Sequence, residues 1–79
     1  MSRALDWSAL AIHDLQGIHW RAASQIDEAL QYFAASGEGS IRYVTIDGER
    51  ALRLYVAPYF AWISLTPDSI IVWRVLRYA

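Results

Sequence analysis

The residues best equipped for chemistry in this chain are arginines set in apolar surroundings. Arg53 stands between Leu52 and Leu54, Arg74 between Trp73 and Val75, and Arg77 precedes Tyr78. A guanidinium inside an otherwise apolar strand is costly unless it is paired or exposed on a working face. Two readings follow. In one, Arg74 pairs with an acid such as Asp14 and braces the fold. In the other, Arg53, Arg74 and Arg77 line a concave face that grips an anionic or protein target. All 7 basic residues are Arg, and Arg suits flat, two-point contacts with carboxylate or phosphate.

Other chemistries find less support. His13 and His19 lie six positions apart, which turns them away from each other on a helix, so no metal site is expected. Ser8, His13 and Asp14 contain the residue types of a hydrolytic triad, but no nucleophile elbow accompanies them. Gly37 and Gly39 lack the following helix and the Lys of a phosphate loop. Asp27 and Glu28 read as a solvated helix face, Asp47 and Glu49 as part of a turn. The chain has 0 Cys, which excludes disulfides and thiolate metal sites. No cofactor is expected.

The elements that must position the arginines change period near Ser40. Ala4, Leu5 and Trp7 suit a short edge strand. Ser8 stands where an N-cap is needed, and Ile12, Leu15 and Ile18 or His19 recur at helical spacing. A second helix is expected from about Arg21 to Ala35, with Ile26, Ala29 or Leu30, and Phe33 inward. Gly37 suits the left-handed position after its last turn. Beyond it the pattern alternates. Ile41 to Ile46 leads into Asp47-Gly48, a strong two-residue hairpin signal. Ala51 to Val56 returns, with Leu52, Leu54 and Val56 on one side and Arg53 and Tyr55 on the other. Tyr59 to Leu65 follows Ala57-Pro58, and Thr66-Pro67-Asp68-Ser69 forms a turn. Ile70 to Tyr78 is the longest apolar run and suits a central strand covered on both faces. The expected class is α+β: a short N-terminal strand and a two-helix hairpin packed on a small antiparallel β-meander.

With 79 residues the chain allows one domain, residues 1–79, with a thin core. Apolar residues make up 56%, including 4 Trp and 5 Tyr. Either the core is unusually aromatic, or some of this surface is meant for a partner. Tyr55, Phe60, Trp62 and Trp73 are the candidates for a sheet face that two helices would leave bare. Net charge is −1, which gives no general attraction to nucleic acid. The helical half is acidic and the sheet half mildly basic. No stretch has a signal-peptide or membrane-spanning pattern, and a cytoplasmic location is expected.

In order and spacing these features resemble the RelE/ParE superfamily of bacterial toxins from type II toxin–antitoxin systems. Trp7-Ser8, Ala11, Asp14-Leu15 and Ile18 are similar to the family's first strand and helix start. Ala22-Ala23, Ile26 and Leu30 are similar to its second helix. Gly37-Glu38-Gly39 stands at its inter-element loop. Leu52-Arg53-Leu54-Tyr55-Val56, Pro58-Tyr59, Asp68 and Ile70-Ile71-Val72-Trp73-Arg74-Val75-Leu76 resemble its strands. The resemblance implies a cognate antitoxin, whose tail would cover Tyr55, Phe60, Trp62 and Trp73. It implies one of two activities. ParE-like members inhibit DNA gyrase, and Arg53, Arg74 and Arg77 would then bind the target. RelE-like members cut messenger RNA in the ribosome without metal, and Arg53, Arg74, Arg77 and Tyr78 would then form the cleaving set. Phe60 stands where many RelE-like chains have Arg, Lys is absent, and the sequence ends at Ala79 without the RelE-like tail. The resemblance is therefore ParE-like, with the ribosome-dependent endoribonuclease as alternative. A degenerate, non-toxic antitoxin-binding module is a third reading. A homodimer or a toxin–antitoxin hetero-oligomer is expected.

Overall fold

The computed structural model describes residues 2–78; Met1, where the leader reading began, and Ala79, where the tail comparison ended, lie outside them. The elements are β1 (Ala4–Trp7), α1 (Ala9–Gln16), α2 (Trp20–Ser36), β2 (Ile41–Ile46), β3 (Glu49–Val56), β4 (Tyr59–Leu65) and β5 (Ser69–Arg77). They form one five-stranded sheet in the order β1-β5-β4-β3-β2. The meander β2–β5 is antiparallel throughout. β1 adds to the edge beside β5 and runs parallel to it, so the sheet is mixed rather than purely antiparallel. Local residue pattern carries no information on strand direction across such a long connection.

The helices form where the caps permit. Ser8 accepts from the Ala11 N–H at 3.0 Å and opens α1. His19 opens α2 with Nδ1, which accepts from the Arg21 N–H at 3.2 Å. Gly37 closes α2 at φ 75°, its N–H donating to Phe33 O at 2.8 Å. Only Gly holds that conformation without a Cβ penalty. The buried stripe of α2 is Ile26, Leu30, Phe33 and Ala34, close to expectation, with Asp27 and Glu28 outside. α1 departs from it. The fully buried residue is Ala11, while Ile12 is 45% exposed. Leu15 and, just beyond the helix, Ile18 pack against the core beside Ala11, so only Ile12 leaves the expected stripe.

Both helices lie on one face of the sheet, over Leu52, Leu54, Ala61, Ile63, Ile70, Val72 and Val75. Asp47 (φ 51°) and Gly48 (φ 82°) take the left-handed conformations that a two-residue hairpin demands. That turn fixes the β2–β3 register. Gly39 permits a close approach: a Cβ there would stand 2.8 Å from Leu54 Cδ1. β5 lies between β1 and β4 as a central strand should, yet it is covered on one face only, and Trp73 on its other face is 45% exposed.

Candidate interaction surface

The face turned away from the helices is set by alternation and register. Arg42 pairs with Arg53, Arg53 with Trp62, and Trp62 with Arg74. Tyr55 pairs with Phe60, and Phe60 with Leu76. Trp62 pairs with Arg74 but Ile63 with Val72, so Trp73 is the extra residue of a β-bulge. Bulges re-aim side chains. Here the bulge projects Trp73 over β4, where its Nε1 donates to Ser64 Oγ at 2.8 Å.

One end of this face is cationic and aromatic. Arg42 and Arg53 stand directly opposite on neighbouring strands, an arrangement that repels. Among the described residues neither forms an ion pair. Instead each lies against a ring: Arg42 is 5.6 Å from the Tyr55 centroid and Arg53 is 4.3 Å from that of Phe60. Tyr78 joins them, its ring 5.2 Å from Tyr55 and 6.4 Å from Phe60. Arg53 Nε is buried and has no hydrogen-bond partner among the described residues. A buried donor without a partner is costly, so the cluster holds unspent capacity for an anion.

The other end is a hollow of about 800 Å³. Its lining includes Ile46, Ala51, Trp62, Ser64 and Trp73, the charged Asp47, Glu49 and Arg50 at the β2–β3 turn, and Leu10 of α1 and Arg74. Leu10 is 58% exposed.

The four basic and phenolic residues singled out from sequence do not converge. Arg53 and Tyr78 share the cationic end. Arg77 pairs with Tyr59, on the helix-side face, and lies 6.0 Å from that ring. Arg74 is engaged by Asp14, the bracing partner considered above. Its Nε donates to Oδ2 at 2.8 Å and its Nη2 to Oδ1 at 3.1 Å. The same Oδ2 accepts from the Val75 N–H at 2.9 Å. β1 pairs with β5 only as far as Val72. Beyond that point α1 closes the strand edge: the Ser8 N–H donates to Val72 O at 3.0 Å, Ser8 Oγ to Trp73 O at 2.8 Å, and Asp14 receives Val75. The Arg74 guanidinium, and after it the Val75 N–H, hold the Asp14 carboxyl below its ordinary value against the opposing pull of burial. Asp14 in turn raises Arg74.

Of the four expected partner-facing aromatics, Trp62 and Trp73 line the hollow and Tyr55 and Phe60 belong to the cationic end. Phe60 is only 6% exposed, so it supports the cluster from beneath. Arg42 was not singled out from sequence. The Asp47-Gly48 turn carried the signal, because a two-residue hairpin there sets Arg42 opposite Arg53.

This two-layer arrangement, with two helices on one face of a five-stranded sheet, is the α+β architecture of RelE/ParE toxin structures. A chain of the RelBE2 toxin–antitoxin complex from Mycobacterium tuberculosis superposes with a TM-score of 0.86 at 11% identity, over 100% of this chain and 94% of that one. A chain of the RelE–RelB complex from Pyrococcus horikoshii gives 0.79 at 11% identity, over 98% and 96%. A chain of the chromosomal ParDE system of P. aeruginosa gives 0.73 at 22% identity, over 98% and 97%. At these identities the likeness is one of fold, and it extends to chains of both RelE–RelB and ParDE complexes. No protein-family model matches the sequence, and no curated protein matches it.

Proposed function

We propose that the chain is the toxin of a type II toxin–antitoxin pair, and that it engages its target through the cationic end of the open sheet face. The observation that carries this reading is the Arg42–Arg53 pair. Two guanidinium groups face each other without a carboxylate among the described residues, and one of them holds a buried donor with no partner. Such a pair weakens the free protein and gains most from an anion between its members. Tyr55 and Tyr78 supply rings beside it, with Phe60 beneath them, and rings beside arginines suit stacked bases as well as phosphate. The target class this favours is nucleic acid, hence the RelE-like reading, messenger RNA cut in the ribosome, with Arg53 holding phosphate and Tyr78 next to it.

The second reading keeps DNA gyrase as target. It draws on Trp73 and Leu10, 45% and 58% exposed, which a protein surface would cover and phosphate would not. Induced expression separates the two. Growth arrest with new message ends in primer extension supports RNA cleavage. Growth arrest with intact message and blocked supercoiling by purified gyrase supports the second reading. Unimpaired growth would sink both.

A further inference from the structure

The open face carries opposite charges at its two ends. Alternation turns Glu49, Ala51 and Arg53 of β3 to this face, and register adds Ile46, Val44 and Arg42 of β2, each beside its β3 partner. The Val44–Ala51 row continues across β4 and β5 as Ser64–Ile71, and none of its four residues is charged. Arg53 stands two residues to one side of Ala51, and Glu49 two residues to the other, about 7 Å each way. Likewise Arg42 stands on one side of Val44, and Ile46, followed by Asp47, on the other. Among the described residues none of Arg42, Arg53, Asp47 and Glu49 forms an ion pair. The other charges lining the hollow are engaged. Arg74 is held by Asp14, and Arg50 turns to the helix side, 4.3 Å from the Tyr43 centroid. Two bases and two acids thus lie at equal distances from a neutral row. Trp73, 45% exposed, leans across that row onto Ser64.

We infer that the open face binds a second copy of itself, two chains packing face to face about a twofold axis that runs across the strands along the Val44–Ala51–Ser64–Ile71 row. A half-turn about that axis lays each strand antiparallel over its own counterpart and exchanges the two sides of the row. Arg53 then meets Glu49 of the partner subunit, and Arg42 meets the partner's Asp47, each contact made twice, as an isologous interface requires. The two hollows merge at the axis, where Trp73 of each chain fills space above Ala51 and Ser64. Charge complementarity selects this occupant. A nucleic acid would satisfy the arginines but meet Asp47 and Glu49 with like charge, and a uniformly acidic segment would do the same. The face asks for a surface with acid and base about 14 Å apart and an apolar middle, and it is such a surface itself. Its size agrees. Five strands of up to 9 residues, spaced about 4.8 Å, make a face of roughly 650 Å² before side-chain relief, near the about 800 Å² per partner of a stable interface. The pairing also gives the buried Arg53 Nε an acceptor. On the toxin reading, the dimer covers the Arg42–Arg53 end and is a resting form that must part before the target is met.

The test uses the full chain in sedimentation equilibrium from low micromolar to near-millimolar concentration. The wild-type chain shows a monomer–dimer equilibrium that weakens with salt. Arg53→Glu sets acid against acid and Glu49→Arg sets base against base; each weakens association roughly tenfold or more. The double variant Arg53→Glu/Glu49→Arg exchanges the charges and restores association to within a few-fold of wild type. Ala51→Lys, on the axis, places a cation against its own copy and weakens association by itself. Glu28→Gln, on the outer side of α2, changes nothing. Circular dichroism confirms that each variant is folded, and the restored double variant guards against a loss caused by misfolding. A wild-type chain that stays monomeric throughout, with or without an added RNA oligomer, overturns the inference. So does unchanged association in Arg53→Glu, or a double variant no better than the single ones. Absence of growth arrest on expression counts against the toxin reading alone, because the dimer is measured without reference to toxicity.

Discussion

Asp14 should matter more to stability than the arginine it pairs with. Asp14 Oδ2 serves two donors, Arg74 Nε at 2.8 Å and the Val75 N–H at 2.9 Å. The side chains differ in exposure, 12% for Asp14 and 38% for Arg74. Removing Arg74 with Arg74→Ala leaves the carboxylate its backbone bond and some contact with water, and an ion pair whose cation is this exposed is largely screened. Removing Asp14 with Asp14→Ala leaves the N–H of Val75, a residue only 3% exposed, on a strand edge that β1 does not reach. It also detaches α1 from that edge. A hydrogen bond from a buried backbone donor to a charged acceptor is worth about 2 kcal/mol, and more when the donor is left orphaned. Asp14→Ala should therefore cost about 2–3 kcal/mol, a large share of the stability of a domain this small. Asp14→Asn, which keeps an acceptor, should cost about half that, and Arg74→Ala less than Asp14→Ala. Urea titration followed by tryptophan fluorescence measures all three. Equal losses for Arg74→Ala and Asp14→Ala would show that the ion pair, not the strand edge, carries the energy. Loss of the difference in 1 M salt, a concentration at which surface pairs are screened within about 3 Å, would point the same way.

The same group sets an acid limb. Its folded-state value lies below the ordinary 3.8, so its contribution is complete above that value and is lost as pH falls through the folded one; Asp14→Asn should flatten the pH dependence of stability between about pH 5 and 2. Arg42→Glu replaces a like-charge cross-strand pair with an opposite one. It should raise stability by up to about 1 kcal/mol in urea titration while abolishing growth arrest, and a destabilised yet fully toxic variant would contradict the reading. Gly39→Ala sets a methyl 2.8 Å from Leu54 Cδ1. It should lower stability by about 1–2 kcal/mol, and a neutral result would mean that the Leu54 tip moves freely.

Much of this fold was readable because its strongest signals are local. Asp47-Gly48 specifies a turn and a register; Leu52, Leu54 and Val56 specify a face; Gly37 specifies where α2 stops. What escaped depends on relations between distant segments. The parallel direction of β1 leaves no local trace. α1 holds the strand edge through Ser8 and Asp14 and packs on the core through Ala11 and Leu15, so the helical spacing of Leu15 and Ile18 pointed to the buried side while Ile12 turned to solvent. In the site, alternation separated Arg53 and Tyr55 from Leu52, Leu54 and Val56, but it did not say which side meets the helices. Grouping Arg74 with Arg77 was not compatible with a strand, in which residues three apart face opposite ways. The bulge at Trp73 and the clasp on Arg74 came from tertiary pairing, which no single strand encodes.

The role of the Arg42–Arg53 pair is tested most directly by induced expression of the wild-type chain beside Arg53→Gln, with folding and expression level matched. Growth arrest by the wild-type chain, reversed by co-expression of the neighbouring small gene and absent in Arg53→Gln, is the predicted result. Arrest of equal depth in Arg53→Gln, or no arrest by the wild-type chain, would contradict it.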